Sequence, residues 1–123
     1  MLSPDFILLY VENVSTSAAF YSNLLGNGPV DNSANFAMFP LQSGVMLGLW
    51  AGHDVQPRPT SAGGGSELGF TAKDQASVDA MHKEWSERGY AIAQKPVLMD
   101  FGYTFTALDP DGHRLRVFAP KQG

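Results

Sequence analysis

Residues 36–51, FAMFPLQSGVMLGLWA, and residues 104–119, TFTALDPDGHRLRVFA, lie on one another without a gap at a shift of 68 positions. Each is an apolar run, a turn and a second apolar run, the pattern of a β-hairpin. The first pairs 36–41 with 45–50 across Gln42-Ser43-Gly44. The second pairs 103–108 with 115–119 across Asp109-Pro110-Asp111-Gly112. On the overlay Gly44 falls on Gly112, Leu47 on Leu115 and Trp50 on Phe118.

Working outward, the same elements precede both hairpins. Phe6-Ile7-Leu8-Leu9-Tyr10-Val11 reads as a strand, and a shift of 61 places it on residues 67–72, whose first five residues read as another. After the first strand, Asn13 or Ser15 is placed to cap a helix carrying Val14, Ala18, Tyr21 and Leu25, with Gly26 as its stop. After the second, Asp74 is the cap, Val78, Met81 and Trp85 mark the helix, and Gly89 ends it. A short strand at 91–93 follows. Between the halves, Pro57, Pro59 and Gly63-Gly64-Gly65 make residues 52–66 a flexible connector, too polar and Gly-rich to join the core. Shared order over both halves reads as an internal duplication: a single α+β domain over 1–123, with one module at 1–51 and a second at 67–123.

Composition bounds the function. The chain has 123 residues, 44% of them apolar and 16% charged, which suits a packed core. It has no cysteine, so thiol catalysis, disulfides and thiolate metal sites are excluded. Lys and Arg are scattered and the net charge is −4, which argues against a nucleic-acid partner. No apolar run approaches the roughly 20 residues that span a bilayer, so no membrane partner is expected. The first residues lack the basic and apolar regions of a signal peptide, which makes the cytoplasm the expected location.

Val11-Glu12-Asn13-Val14, then Phe20-Tyr21 and Leu24-Leu25-Gly26, resemble the opening of the vicinal oxygen chelate superfamily, which includes glyoxalases, bleomycin-resistance proteins and dioxygenases. Asp109-Pro110-Asp111-Gly112-His113 resembles the turn before its last strand. The resemblance runs along nearly the whole chain. It implies two βαβββ modules whose curved mixed sheets form a cleft. It also implies homodimers, in some members with modules exchanged between chains, for which residues 61–66 are a candidate hinge.

Enzymes of this superfamily hold a divalent metal with His and Glu from the first and last strands of each module. The resemblance places those four positions at Phe6, Gly48, Glu67 and Arg116. Phe6 and Gly48 carry no ligand atom and Arg116 brings a permanent positive charge, whereas a catalytic divalent site takes about three protein ligands. His53, His82 and His113 fall in the connector, on a helix and in a turn, away from those positions. No metal and no cofactor are therefore expected, nor the lyase or dioxygenase chemistry that needs one.

Strand parity names what stands there instead. Phe6 shares its face with Leu8 and Tyr10, Gly48 with Met46 and Trp50, and Arg116 with Arg114 and Phe118. The candidate ligand-binding residues are Phe6, Tyr10, Met38, Met46, Gly48, Trp50, Glu67, Phe101, Tyr103, Arg116 and Phe118. The aromatics suit offset stacking on a flat molecule, the methionines adapt, and Gly48 and Gly69 leave room. Glu67 and Arg116 are expected either to pair or to leave Arg116 for a ligand carboxylate. Met99-Asp100-Phe101-Gly102-Tyr103 and Leu49-Trp50-Ala51-Gly52 also resemble segments of phenazine-resistance proteins, metal-free members that sequester a planar antibiotic. The expected function is sequestration of a planar aromatic antibiotic or toxin without chemistry. The alternatives are a metal-free enzyme with Asp100, Tyr103 or Glu67 as acid or base, and a glyoxalase-like lyase or dioxygenase-type enzyme acting on a small metabolite.

Overall fold

The computed structural model describes residues 2–121. The chain divides into two compact units, the first ending at Ala62 and the second starting at Gly63. Each is a βαβββ module. In the first, β1 (Phe6–Val11), α1 (Val14–Leu25), β2 (Asp31–Asn32), β3 (Phe36–Pro40) and β4 (Met46–Ala51) give a sheet of order β1-β4-β3-β2. In the second, β5 (Glu67–Thr71), α2 (Gln75–Glu87), β6 (Ala91–Met99), β7 (Gly102–Leu108) and β8 (Arg114–Pro120) give the order β5-β8-β7-β6. In both, the first and last strands are parallel and the other pairs antiparallel.

The ladders reproduce the two sequence shifts. Phe6 pairs with Met46 and Tyr10 with Trp50; the same steps in the second module pair Glu67 with Arg114 and Thr71 with Phe118. Across the hairpins, Phe36 opposite Trp50 corresponds to Thr104 opposite Phe118. The turns also correspond. Leu41 N–H donates to Val45 O and Gly44 N–H to Leu41 O, as Asp109 does to His113 and Gly112 to Asp109. Gly44 (φ 93°) and Gly112 (φ 85°) hold the left-handed conformation that glycine reaches without a steric penalty. In the second turn the buried Asp109 carboxylate accepts from the N–H of Asp111 and of His113, 2.8 and 2.9 Å away.

The helices start where the caps are. Asn13 Oδ1 accepts from Thr16 N–H at 3.0 Å, and Asp74 Oδ1 from Ser77 N–H at 2.8 Å. Each satisfies a donor that the first helical turn cannot pair internally. One face of each sheet packs under its own helix. Leu9, Val11, Ala37, Phe39, Leu47 and Leu49 are buried with Val14, Ala18 and Tyr21 of α1. Phe105, Ala107, Leu115 and Val117 are buried with Val78 and Trp85 of α2, where the Trp85 ring meets Phe105 and Phe70 edge-on.

Three expectations need correction. β2 is an additional strand of two residues, bonded to Met38 and Ala37 and too short to carry a pattern. β6 runs for nine residues, not three. It is an edge strand with register shifts between Ile92 and Gln94 and between Gln94 and Val97, which break its alternation. Residues 52–66 are not wholly outside the core: a 3₁₀ turn at Gly52–Asp54 leads into Val55, which is 2% exposed.

Candidate functional site

The two sheets differ on the face turned away from the helix. In the first module that face is apolar. Phe6, Leu8 and Tyr10 project from β1 and are 42–45% exposed, beside half-buried Met46 and Trp50 of β4 and Phe36 and Met38 of β3. Trp50 stands between its ladder partners Tyr10 and Phe36. The Tyr10 and Trp50 rings meet edge-to-face, with centroids 6.3 Å apart. Gly48 leaves no room here, contrary to expectation. A Cβ on it would lie 2.7 Å from Leu8 Cδ2 and 3.1 Å from the Phe36 ring, so larger neighbours already occupy that space.

In the second module the corresponding face is polar and internally bonded. Arg116 Nε and Nη2 donate to the two Glu67 carboxylate oxygens at 2.7 and 2.9 Å, a bidentate pair. Its Nη1 donates to Gln94 Oε1 and Thr104 Oγ1 at 3.1 and 3.2 Å. Thr104 in turn donates to Val117 O, and Thr106 to Gln94 Oε1. Phe101 lies under the guanidinium, its centroid 5.7 Å from Arg116 Cζ, and meets Phe118 edge-on. A Cβ on Gly69 would meet only Phe118, at 3.7 Å, so that side of Arg116 is open.

The Arg116 hydrogen bond, opposed by desolvation and helped by the charges of Arg116 and Arg114, holds the Glu67 carboxyl below its ordinary range. Glu67 is an ionised acceptor, which suits pairing better than proton donation. Arg116 is held above its already high value by the same bond.

Most of the residues singled out in the sequence reach these two faces. Phe6, Tyr10, Met38, Met46, Gly48 and Trp50 share the first, and Glu67, Arg116 and Phe118 the second, with Phe101 over it. Tyr103 does not. It alternates with Gly102 and Thr104 and so points to the helix, where its hydroxyl donates to Asp79 Oδ1 at 2.8 Å. That bond raises the Tyr103 pKa and makes the phenol a poorer acid. Thr104, Thr106 and Gln94 belong to the Arg116 network and were missed. The threonines share Arg116's parity and were legible on that ground; Gln94 was hidden by the misjudged length of β6.

The positions where superfamily enzymes hold a metal do not fit one. Among Phe6, Gly48, Glu67 and Arg116, only Glu67 has a ligand atom, and both its oxygens accept from Arg116. Among the described residues no group of three or more His, Cys, Asp or Glu side chains could hold a metal ion. His82 packs against Phe105, and His113 lies at the Asp109 turn.

A separate groove of about 520 Å³ opens in the first unit, beyond the ends of β1 and β4. Tyr10 and Glu12 line it together with His53, Val55, Arg58 and Ser61 of the segment that follows β4. Among the described residues no helix is long and apolar enough to cross a membrane.

Comparison with known proteins agrees with this architecture. The chain is 30% identical over 121 residues to the phenazine antibiotic resistance protein EhpR of Enterobacter agglomerans, covering 94% of this chain and 91% of that protein. A catechol-2,3-dioxygenase of Bacillus subtilis is 28% identical over 93 residues, 72% of this chain but 33% of the dioxygenase. An Agrobacterium tumefaciens protein solved by NMR is 48% identical, with a TM-score of 0.91 over 99% of this chain and 100% of that one. A glyoxalase/bleomycin resistance protein/dioxygenase from Nocardioides shares the fold at 19% identity, with a TM-score of 0.88 over 100% and 86% of the two chains. Residues 3–117 match the family model described as the Glyoxalase/Bleomycin resistance protein/Dioxygenase superfamily, and the chain belongs to that superfamily.

Proposed function

We propose that the protein sequesters a planar aromatic antibiotic or toxin, as a homodimer and without chemistry, metal or cofactor. The observation that carries this reading is the helix-free face of the first sheet, where Phe6, Tyr10 and Trp50 stand exposed or half-exposed among methionines. An apolar aromatic surface of this kind binds a flat π-system by burial and by offset or edge contacts, the latter worth about 0.5–1.5 kcal/mol per pair. The donor chemistry at the superfamily's metal positions supports binding over catalysis. The likeness to a phenazine antibiotic resistance protein supports the resistance type.

A dioxygenase-like or lyase-like enzyme is the alternative, favoured by the partial match to a catechol-2,3-dioxygenase. It would have to find ligands elsewhere than at Phe6, Gly48 and Arg116.

The two tryptophans make the test direct. Trp85 is 3% exposed and ringed by Phe70, Tyr90 and Phe105, so it serves as an internal reference. Titration of metal-stripped protein with phenazine or a naphthoquinone is expected to quench emission saturably, and Trp50→Phe is expected to remove that response. Emission unchanged up to the solubility limit, with turnover of a catechol appearing on addition of divalent metal, would overturn the reading in favour of the enzyme. A saturable response to bleomycin alone would reject the planar class.

A further inference from the structure

The first half of the chain is short of positive charge. Residues 1–62 contain Asp5, Glu12, Asp31 and Asp54, and Arg58 is their single Lys or Arg. That one cation lines the groove beyond β1 and β4. Although acidic groups outnumber it, and Glu12 lines the same groove, the Arg58 side chain makes no ion pair or hydrogen bond among the described residues. A guanidinium in that position keeps all its donors for something that arrives from solution.

Arg116 is in the opposite state. Its Nε, Nη1 and Nη2 already donate to Glu67, Gln94 and Thr104. A ligand carboxylate reaching Arg116 would have to displace a bidentate carboxylate already in place, and would meet the repulsion of Glu67. Arg58 has no carboxylate paired to it to be displaced, although Glu12 lines the same groove. The groove around it is built, not incidental: Val55 is buried at 2% exposure and anchors the segment that carries Arg58. At about 520 Å³ it falls within the range of small-molecule pockets, and Tyr10 lines it together with polar Glu12, His53, Gln56 and Ser61. Tyr10 also belongs to the aromatic face, through its edge contact with Trp50.

We propose that this groove receives the acidic group of an aromatic ligand, with Arg58 binding a carboxylate or similar anion and Tyr10 forming the wall for the ring. The inference rests on the sequestration reading and narrows its ligand class from planar aromatic to anionic planar aromatic.

The test compares two probes that differ in one charge, phenazine and phenazine-1-carboxylate at pH 7, by Trp50 quenching. The carboxylate is expected to bind about tenfold tighter to the wild type, the usual size of one charge-assisted contact. Arg58→Gln is expected to abolish that preference and leave phenazine affinity unchanged, and Arg58→Lys to restore part of it. Raising the salt concentration is expected to erode the preference in the wild type only. Equal affinity for both probes in the wild type, or a preference that survives Arg58→Gln, would overturn the assignment while the sequestration reading stood. Failure of both probes to quench would remove the sequestration reading and this assignment together.

Discussion

The two modules share a ladder, a turn and a capping scheme, yet their helix-free faces have opposite chemistry. At equivalent ladder positions the first module carries Phe6, Met46 and Trp50, and the second Glu67, Arg114 and Phe118. The helix-side faces stay apolar in both, with a rearrangement: Ala37 and Phe39 in β3 are matched by Phe105 and Ala107 in β7, large and small exchanged. The difference teaches which constraint acts where. The face under the helix must fill a fixed volume, so composition is kept while order changes. The other face carries no such demand, and is free to become a sticky aromatic surface in one copy and a saturated polar network in the other.

The largest effect expected comes from the exchanged phenylalanines. Phe39 and Phe105 are both fully buried, so truncation of either to Ala should cost about 3–5 kcal/mol. Phe105 should lie at the upper end, because its ring also meets Trp85 and His82 edge-on, at 5.4 and 5.3 Å. Urea unfolding read separately at Trp50 and Trp85 measures both. Identical losses would mean that the aromatic contacts of the second module add nothing beyond volume.

A smaller effect is expected from dismantling the polar network. Glu67→Gln leaves Arg116 with Gln94 and Thr104 but without its counter-charge. With side chains 18% and 32% exposed, solvent screens the pair, and a loss of about 1 kcal/mol is expected. The double change Glu67→Leu with Arg116→Met gives the second face the apolar character of the first, and should recover most of that loss. A double variant less stable than Glu67→Gln would show that the network holds the sheet by more than charge pairing.

The same contrast explains what could be read in advance. The repeat was legible because the buried faces obey a two-residue period, so Leu47-Leu49 and Leu115-Val117 align with their turns. The metal positions were legible as missing, since Phe and Gly have no ligand atoms in any conformation. What escaped reading depends on neighbours in space. Gly48 looked like vacant space, but Leu8 from β1 and Phe36 from β3 fill it. Tyr103 reads as a ligand-binding candidate, but one step of strand parity turns it to Asp79. Val55 sits in a polar stretch and gives no periodic signal, yet it anchors the groove wall. Arg58 needed the structure because an arginine's value as a binder depends on whether something has already taken its donors.

The capping residues carry the comparison into solution conditions. A shift of 61 places Asn13 on Asp74, and both cap a helix from the same atom position, one through a neutral amide and the other through a carboxylate. The hydrogen bonds from Ser77 hold the Asp74 carboxyl below its ordinary range, and Arg116 does the same for Glu67. Groups with depressed native pKa values stabilise the fold above the unfolded carboxylate value, and that stabilisation is lost as pH falls through the native value. The window therefore lies below roughly pH 4, and Asn13 has no counterpart transition there. Hydrogen exchange compared at pH 7 and pH 3, after correction for intrinsic rates, should show loss of protection in the first turn of α2 and in β5, with α1 little changed. Asp74→Asn should make the two helix starts respond alike. If α1 and α2 lose protection equally in the wild type, the caps are interchangeable and acid acts on the chain as a whole.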